Sequence, residues 1–197
     1  MNEAQLVSFV LFSLRTLLLN LLEEGLKAYP SGVIGENEGN QAVIDHRLSE
    51  VREIESLMKR YCLYFDTKSP RELGGLFTDD ARIDYGPEVE PIQGRENLVA
   101  MVESGARTRF ESTNHRISNE IVTFIDEMRA TGTSHLYAWH KYLDSEVIGH
   151  LWGGYRYRFK KVDGQWFIAA LKLYASGMDG FHRKRMHDFR SILNEEI

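Results

Sequence analysis

From His46 to Phe65 the apolar residues Val51, Ile54, Leu57, Met58, Tyr61 and Phe65 recur at steps of three and four. That spacing puts one apolar face on a helix and turns it to a core. Ser69-Pro70-Arg71-Glu72 opens a second helix, expected to run to about Phe77. Ser69 supplies a cap, Pro70 suits the first helical position and Glu72 completes a capping box. A short strand is expected over Arg82–Tyr85. A third helix follows over Gly94–Ser104, carrying Leu98, Val99, Met101 and Val102. The period then changes to two, which predicts four long strands over 114–125, 129–143, 148–162 and 165–174. Asp163-Gly164 between the last two is a hairpin signal, because Gly accepts the positive φ of a two-residue turn. Helices followed by hairpin-linked strands predict an α+β domain with an antiparallel sheet. Such a sheet curls around its helices and leaves a cavity at the open end.

The ends of the chain read differently. Residues 4–22 are strongly apolar but interrupted by Gln5, Ser8, Ser13, Arg15, Thr16 and Asn20. Arg15 would sit near the centre of a bilayer, which is costly, so an amphipathic or buried helix is expected rather than a span. A membrane-surface helix stays open as an alternative. Gly32 to Asn40 reads as a flexible linker, which gives an N-terminal segment 1–44, a domain over 45–180 and a C-terminal helix or tail over 181–197. The run His182-Arg183-Lys184-Arg185 in that tail reads as a solvated face.

At 197 residues and 27% charged, the chain is long enough to bury one sizeable core. A net charge of −5 disfavours nucleic acid as a partner. The single cysteine, Cys62, excludes an intramolecular disulfide and a Cys-based metal cluster, and suits a small apolar role on a helix. An intracellular, cytoplasmic location is expected. No phosphate-cradling glycine loop, dinucleotide fingerprint or serine-nucleophile elbow is present, which argues against kinase or cofactor-dependent redox chemistry.

Residues able to move protons fall at the ends of elements. Asp66 closes the first long helix, Tyr85 the short strand, His115 opens the first long strand and His140 lies within the second. On that second strand His140 and His135 point to opposite faces, so only one of them can look into a helix-covered cavity. A carboxylate beside an imidazole fixes the tautomer and raises the basicity of the far nitrogen. A tyrosine hydroxyl can stabilise an enolate as it forms.

Five segments carry a resemblance: Tyr64-Phe65-Asp66-Thr67-Lys68, Arg82-Ile83-Asp84-Tyr85, Thr113-Asn114-His115, His140-Lys141-Tyr142, and Phe159 to Trp166 around Asp163-Gly164. Their order, with 19 residues from Asp66 to Tyr85 and 25 from His115 to His140, resembles scytalone dehydratase and its SnoaL-like relatives. These belong to the nuclear transport factor 2-like fold, a cone-shaped curved sheet wrapped around helices. The resemblance spans residues 48–174. It implies that Asp66 orients His115 as principal acid/base, that His140 is a second pocket histidine, and that Tyr85 polarises a carbonyl. It also implies water loss without metal or organic cofactor. Tyr61, Phe65, Tyr155 and Asn119 are assigned to substrate contact.

The sequence departs from that pattern at three positions. Phe65 stands where the family has a second carbonyl-binding tyrosine. Gly153 and Tyr155 stand where scytalone dehydratase uses Ser and Asn, so scytalone itself is not the expected substrate. Tyr61 lies five residues before the aspartate, where the similar bile acid dehydratases carry a tyrosine, and can replace the missing hydroxyl. The expected function is a cofactor-free dehydratase-like lyase or isomerase acting on a small hydroxylated or carbonyl-bearing cyclic molecule. Two alternatives remain open: a non-catalytic binding or assembly module, like the small subunits of ring-hydroxylating dioxygenases, and a metal site built from His115, His140 and Asp66. Tyr137, Trp139 and Trp152 on or near the outward face of the sheet predict self-association, as a trimer or dimer.

Overall fold

The computed structural model describes residues 33–194, with side chains described from residue 40. The expected helix over residues 4–22 lies outside the described residues. The chain divides after Leu48 into two units, the second of which holds the sheet. Among the described residues no helix is long and apolar enough to cross a membrane.

Helix α1 spans Val33–Asp66, so residues 33–40 are helical where a flexible linker was expected. Gly35 and Gly39 each cost about 1 kcal/mol in a helix. Propagation from a formed helix adds one hydrogen bond per residue without a new nucleus, and here it outweighs that cost. In the second unit α1 buries Ile54, Leu57, Met58, Tyr61 and Cys62, the face its periodicity marks. Burial pushes the Cys62 thiol up to about 12, as befits a packing residue.

Helix α2 is a single turn over Pro70–Gly74 with Pro70 at its start. The expected capping box does not form: Ser69 makes no side-chain cap and instead shares a 3.0 Å hydrogen bond with the Thr67 hydroxyl. The turn stops at Gly75, and Phe77 already begins β1, Phe77–Asp84. Strand β2 (Ile92–Gln93) precedes α3 (Arg95–Met101). Helix α3 widens into a π-turn over Val102–Ala106 and ends in a last turn, Arg107–Arg109.

Strands β3 (Phe110–Phe124), β4 (Arg129–Tyr142), β5 (Ile148–Val162) and β6 (Gln165–Asp179) form the body of the sheet. Asp163 and Gly164 join the last two with φ of 49° and 81°, the two positive values of a primed hairpin turn. The order is β2-β1-β6-β5-β4-β3, with a short β7 (His187–Asp188) on β6. The four long strands pair antiparallel, but β1 and β7 each run parallel to β6. The sheet is therefore mixed rather than purely antiparallel. β1 enters before the hairpin series, and the last strand of that series closes against it. Of the helix or tail expected beyond β6, the described residues form a tail: an extended segment, β7 and one 3-10 turn, Phe189–Ser191.

Alternation sorts each long strand. On β4, Ser134, Leu136, Ala138 and His140 are buried, while His135 is exposed against Phe189. On β5, Leu151, Tyr155, Tyr157 and Phe159 face the core. Register shifts in β3 between Ser118 and Ile121, and between β5 and β6 at Trp152/Gly153, mark bulges that bend the sheet around its helices. Gly153 sits at the second of these. A Cβ there would run into the carbonyl oxygen and backbone of Tyr174. Main-chain packing thus holds position 153 to glycine. Gly153→Ala is expected to lower stability by about 1–3 kcal/mol, the usual cost of overpacking. Urea denaturation with an unchanged m-value checks it.

Candidate active site

Asp66 is the last residue of α1, where the helix dipole disfavours a carboxylate. Three donors from β3 offset this. Asp66 Oδ1 accepts from His115 Nδ1 at 2.6 Å and from Thr113 Oγ1 at 2.8 Å, and Oδ2 accepts from the His115 backbone N–H at 2.8 Å. Thr113 and His115 reach it together because residues two apart share a strand face. Burial pushes the Asp66 carboxyl up. The hydrogen bonds and charge of His115, with the bond from Thr113, prevail and hold it below its usual value. The carboxylate stays ionised, and the His115 side chain is largely buried at 6% exposure. With Nδ1 donating to Asp66, the Nε2 lone pair is left as the basic nitrogen of a ring that lines a cavity.

That cavity has a volume of about 270 Å³, near the lower end of the roughly 300–1,000 Å³ typical of small-molecule sites. Its floor is built by α1 and β5. Phe65 packs edge-on against His115 with ring centres 4.9 Å apart, and Tyr61 meets Tyr155 edge-on at 5.5 Å. The hydroxyls of Tyr61 and Tyr85 share a hydrogen bond at 2.8 Å. Burial raises both phenols above their ordinary value, so both keep their protons at neutral pH.

His140 pairs in register with Thr113 across the β3–β4 ladder, which places it diagonal to His115 on the same face. The two rings meet edge-to-face at 5.3 Å. Burial, with the neighbouring His115 and His182, pushes His140 down to about 3. It is a neutral imidazole, and its buried Nδ1 has no hydrogen-bond partner among the described residues.

The structure thus gathers Asp66, His115, His140, Tyr85, Tyr61, Phe65 and Tyr155 at one cavity, with Asp66 behind His115. Asn119 does not belong with them. It lies exposed in the β3 bulge, at φ 54°, with Nδ2 3.4 Å from His135 Nδ1. The bulge consumes one residue and turns Asn119 away from the face that His115 occupies.

Sequence reasoning missed the mouth. Arg109 and Phe110 enter from the end of the α3 segment, and Phe181, His182 and Arg183 from the chain after β6. Phe181 packs on His140 at 5.2 Å. The run from His182 to Arg185 was expected to be a solvated face; His182, Lys184 and Arg185 are exposed, yet His182 and the half-buried Arg183 also line the cavity. The apolar Phe181 just before the run was the available signal. Among the described residues no three His, Cys, Asp or Glu side chains are arranged to hold a metal ion.

Behind Tyr85 lies a second buried cluster. Asp84 accepts from the Gly86 N–H at 3.0 Å and pairs with His187 Nε2 at 3.0 Å, with Lys172 at 3.9 Å. This cluster ties the C-terminal segment carrying His187 to the end of β1.

Solved structures with this fold include enzymes. A provisionally assigned scytalone dehydratase from Novosphingobium aromaticivorans DSM 12444 is 29% identical, with a TM-score of 0.69 over 78% of this chain and 99% of that one. A hexachlorocyclohexane dehydrochlorinase, LinA type 3 from Novosphingobium barchaimii LL02, matches with a TM-score of 0.63 over 68% of this chain and 90% of its own, at 16% identity. An NTF2-like protein from Novosphingobium aromaticivorans matches with a TM-score of 0.60 over 80% and 97%, at 17% identity. These last two likenesses are of fold alone. No curated protein matches the sequence. The family model for the SnoaL-like domain matches residues 46–172, the stretch that holds all four candidate catalytic residues, and the chain belongs to that family.

Proposed function

We propose that this chain is a cofactor-independent lyase that eliminates water from a small cyclic molecule bearing a hydroxyl β to a carbonyl. The observation that carries the reading is the 2.6 Å contact between Asp66 and His115, whose far nitrogen is free toward an apolar cavity. His115 Nε2 takes the proton from the carbon between the carbonyl and the hydroxyl-bearing carbon. The imidazolium that forms is stabilised by Asp66. The developing enolate oxygen accepts a hydrogen bond from the Tyr61–Tyr85 hydroxyl pair. The enolate then collapses, the C–O bond breaks, and the departing hydroxyl takes the proton back from His115 to leave as water. The product is the conjugated enone. His140, held neutral, can hydrogen-bond the hydroxyl without competing for the first proton.

The names of the structural neighbours agree in kind. A dehydratase and a dehydrochlorinase both remove a proton and a leaving group from one substrate. An isomerase is the same machine without a leaving group, the proton returning to a different carbon.

The test is proton NMR of β-hydroxy cyclic ketones incubated with the protein in deuterated water. Enone should appear, or deuterium should exchange into the carbon beside the carbonyl, and His115→Ala should remove both. Ketones that bind equally to parent and His115→Ala without exchange or water loss would favour the binding-module reading instead.

We also propose that the chain self-associates through the outer face of β4 and β5. Tyr137, His150 and Trp152 stack there, with Trp152 45% exposed. Light scattering is expected to give a mass above that of one chain, falling to one chain in Trp152→Asp. A monomeric parent sinks this reading.

A further inference from the structure

Every charged side chain that lines the cavity carries the same sign. Arg109 and Arg183 stand at its mouth, and the lining contains no Asp or Glu, Asp66 reaching it only through His115. This occurs in a protein whose net charge is −5, so the positive mouth runs against the field of the whole chain. Neither guanidinium forms an ion pair with a described residue. Glu88 attracts Arg183 from a distance, but its carboxylate is engaged by Arg185 Nε at 3.7 Å and by the Lys184 backbone N–H at 3.2 Å. Arg183 is half-buried, and burial together with repulsion from Arg109 pushes it below its ordinary value. Two guanidiniums that repel each other beside an apolar cavity are relieved by an anion placed between them. Their planar forks match the oxygens of a carboxylate or a phosphate. The apolar walls behind them strengthen that attraction.

We propose that the substrate is anionic: its ring enters the cavity toward His115, and an oxyanion group stays at the mouth between Arg109 and Arg183. This rests on the acid–base reading of the same cavity and names the substrate class it serves. The neutral ring supplies the carbon acid, and the anion fixes how deeply and in which direction it enters. His182, beside Arg183 and Phe181, edges the same opening.

The experiment is calorimetric binding of three probes of one shape: 2-naphthoate, 2-naphthamide and 2-naphthyl phosphate. At least one anion is expected to bind about tenfold or more tighter than the amide, the ratio set by a charge-assisted hydrogen bond. Added salt should shrink that ratio. Arg109→Gln and Arg183→Gln should each reduce it, and the double variant should abolish it. Lys184→Gln, which removes a charge from the same segment outside the cavity, should leave it unchanged. A naphthoate preference assigns a carboxylate, and a naphthyl phosphate preference assigns a phosphate. Equal affinity for all three, no binding of either anion, or a preference that survives the double variant overturns the proposal. The readout needs no turnover and is repeated in His115→Ala. A failed acid–base reading would therefore leave the preference standing, and a lost preference would leave the acid–base test untouched.

Discussion

Asp66→Asn is expected to reduce turnover by about 10²–10⁴-fold while leaving the fold in place. Asn keeps one oxygen and can still accept from Thr113 Oγ1 or from the His115 N–H, the two bonds that anchor the end of α1 to β3. What it cannot do is accept at both side-chain termini, as the carboxylate does from the ring Nδ1, Thr113 and the His115 N–H together. With an amide nitrogen in place of one oxygen, residue 66 can donate to Nδ1, and the ring then carries its proton on Nε2. His115 would face the cavity with a donor where the reaction requires a base. Nitrogen-15 NMR of the ring reads this directly: Nδ1 is expected to be the protonated nitrogen in the parent and Nε2 in the variant. The variant also lacks the charge that stabilises the imidazolium, so turnover falls even in molecules with the right tautomer. The sign of the pH effect follows from Asp66 itself. Its carboxyl is held below the usual value in the fold, so its contribution to stability is complete above the ordinary carboxylate range and drains away as acid protonates it. Asp66→Asn should therefore flatten the acid limb of the stability profile. An unchanged tautomer with unchanged turnover would remove the dyad from the mechanism.

How much of this is legible in the sequence depends on how local each signal is. The face of α1 carrying Ile54, Leu57, Met58 and Tyr61 repeats within a few residues and reads directly. So does the Asp163-Gly164 turn, because backbone sterics alone restrict what can sit at two positive φ values. Alternation set His140 and His135 on opposite faces of β4, and the resemblance implied that His140 joins His115; the ladder register places the two on a diagonal. The bulge that removes Asn119 from the face that His115 occupies was not legible. Asn is one of the few residues that accept a left-handed conformation, but it does so only where the surrounding sheet demands it. The parallel pairing of β1 with β6 is a contact across almost the whole domain, Phe77 with Ile168, and no periodicity reports it. The mouth failed for a related reason. A run of basic residues looks the same in sequence whether it is solvated or folded across an opening, and docking through Asp84 and His187 decides which.

In the proposed reaction the Tyr61–Tyr85 hydroxyl pair supplies the donor that Phe65 lacks. Phe65 brings His115 a phenyl ring without a hydroxyl, so in that reaction the carbonyl donor has to come from elsewhere. Tyr61 is 1% exposed and held among Phe65, Phe77 and Tyr155, while Tyr85 is less buried and nearer the mouth residue Arg183 that acts on it. The arrangement favours Tyr61 donating to the Tyr85 oxygen, which frees the Tyr85 proton for the substrate and polarises it. Tyr85→Phe is then expected to lower kcat by about 10²–10³-fold, the cost of one oxyanion donor. Tyr61→Phe should cost about tenfold, since it weakens the donor without removing it. The double variant should be little worse than Tyr85→Phe alone, because the two act as one unit. KM should change less than kcat in all three, since the bond strengthens only as charge moves onto the oxygen. Should Tyr61→Phe prove the more damaging substitution, the order of the relay reverses, and Tyr61 itself meets the carbonyl in place of the residue lost at Phe65. Losses that simply multiply in the double variant would mean two independent contacts and no relay at all.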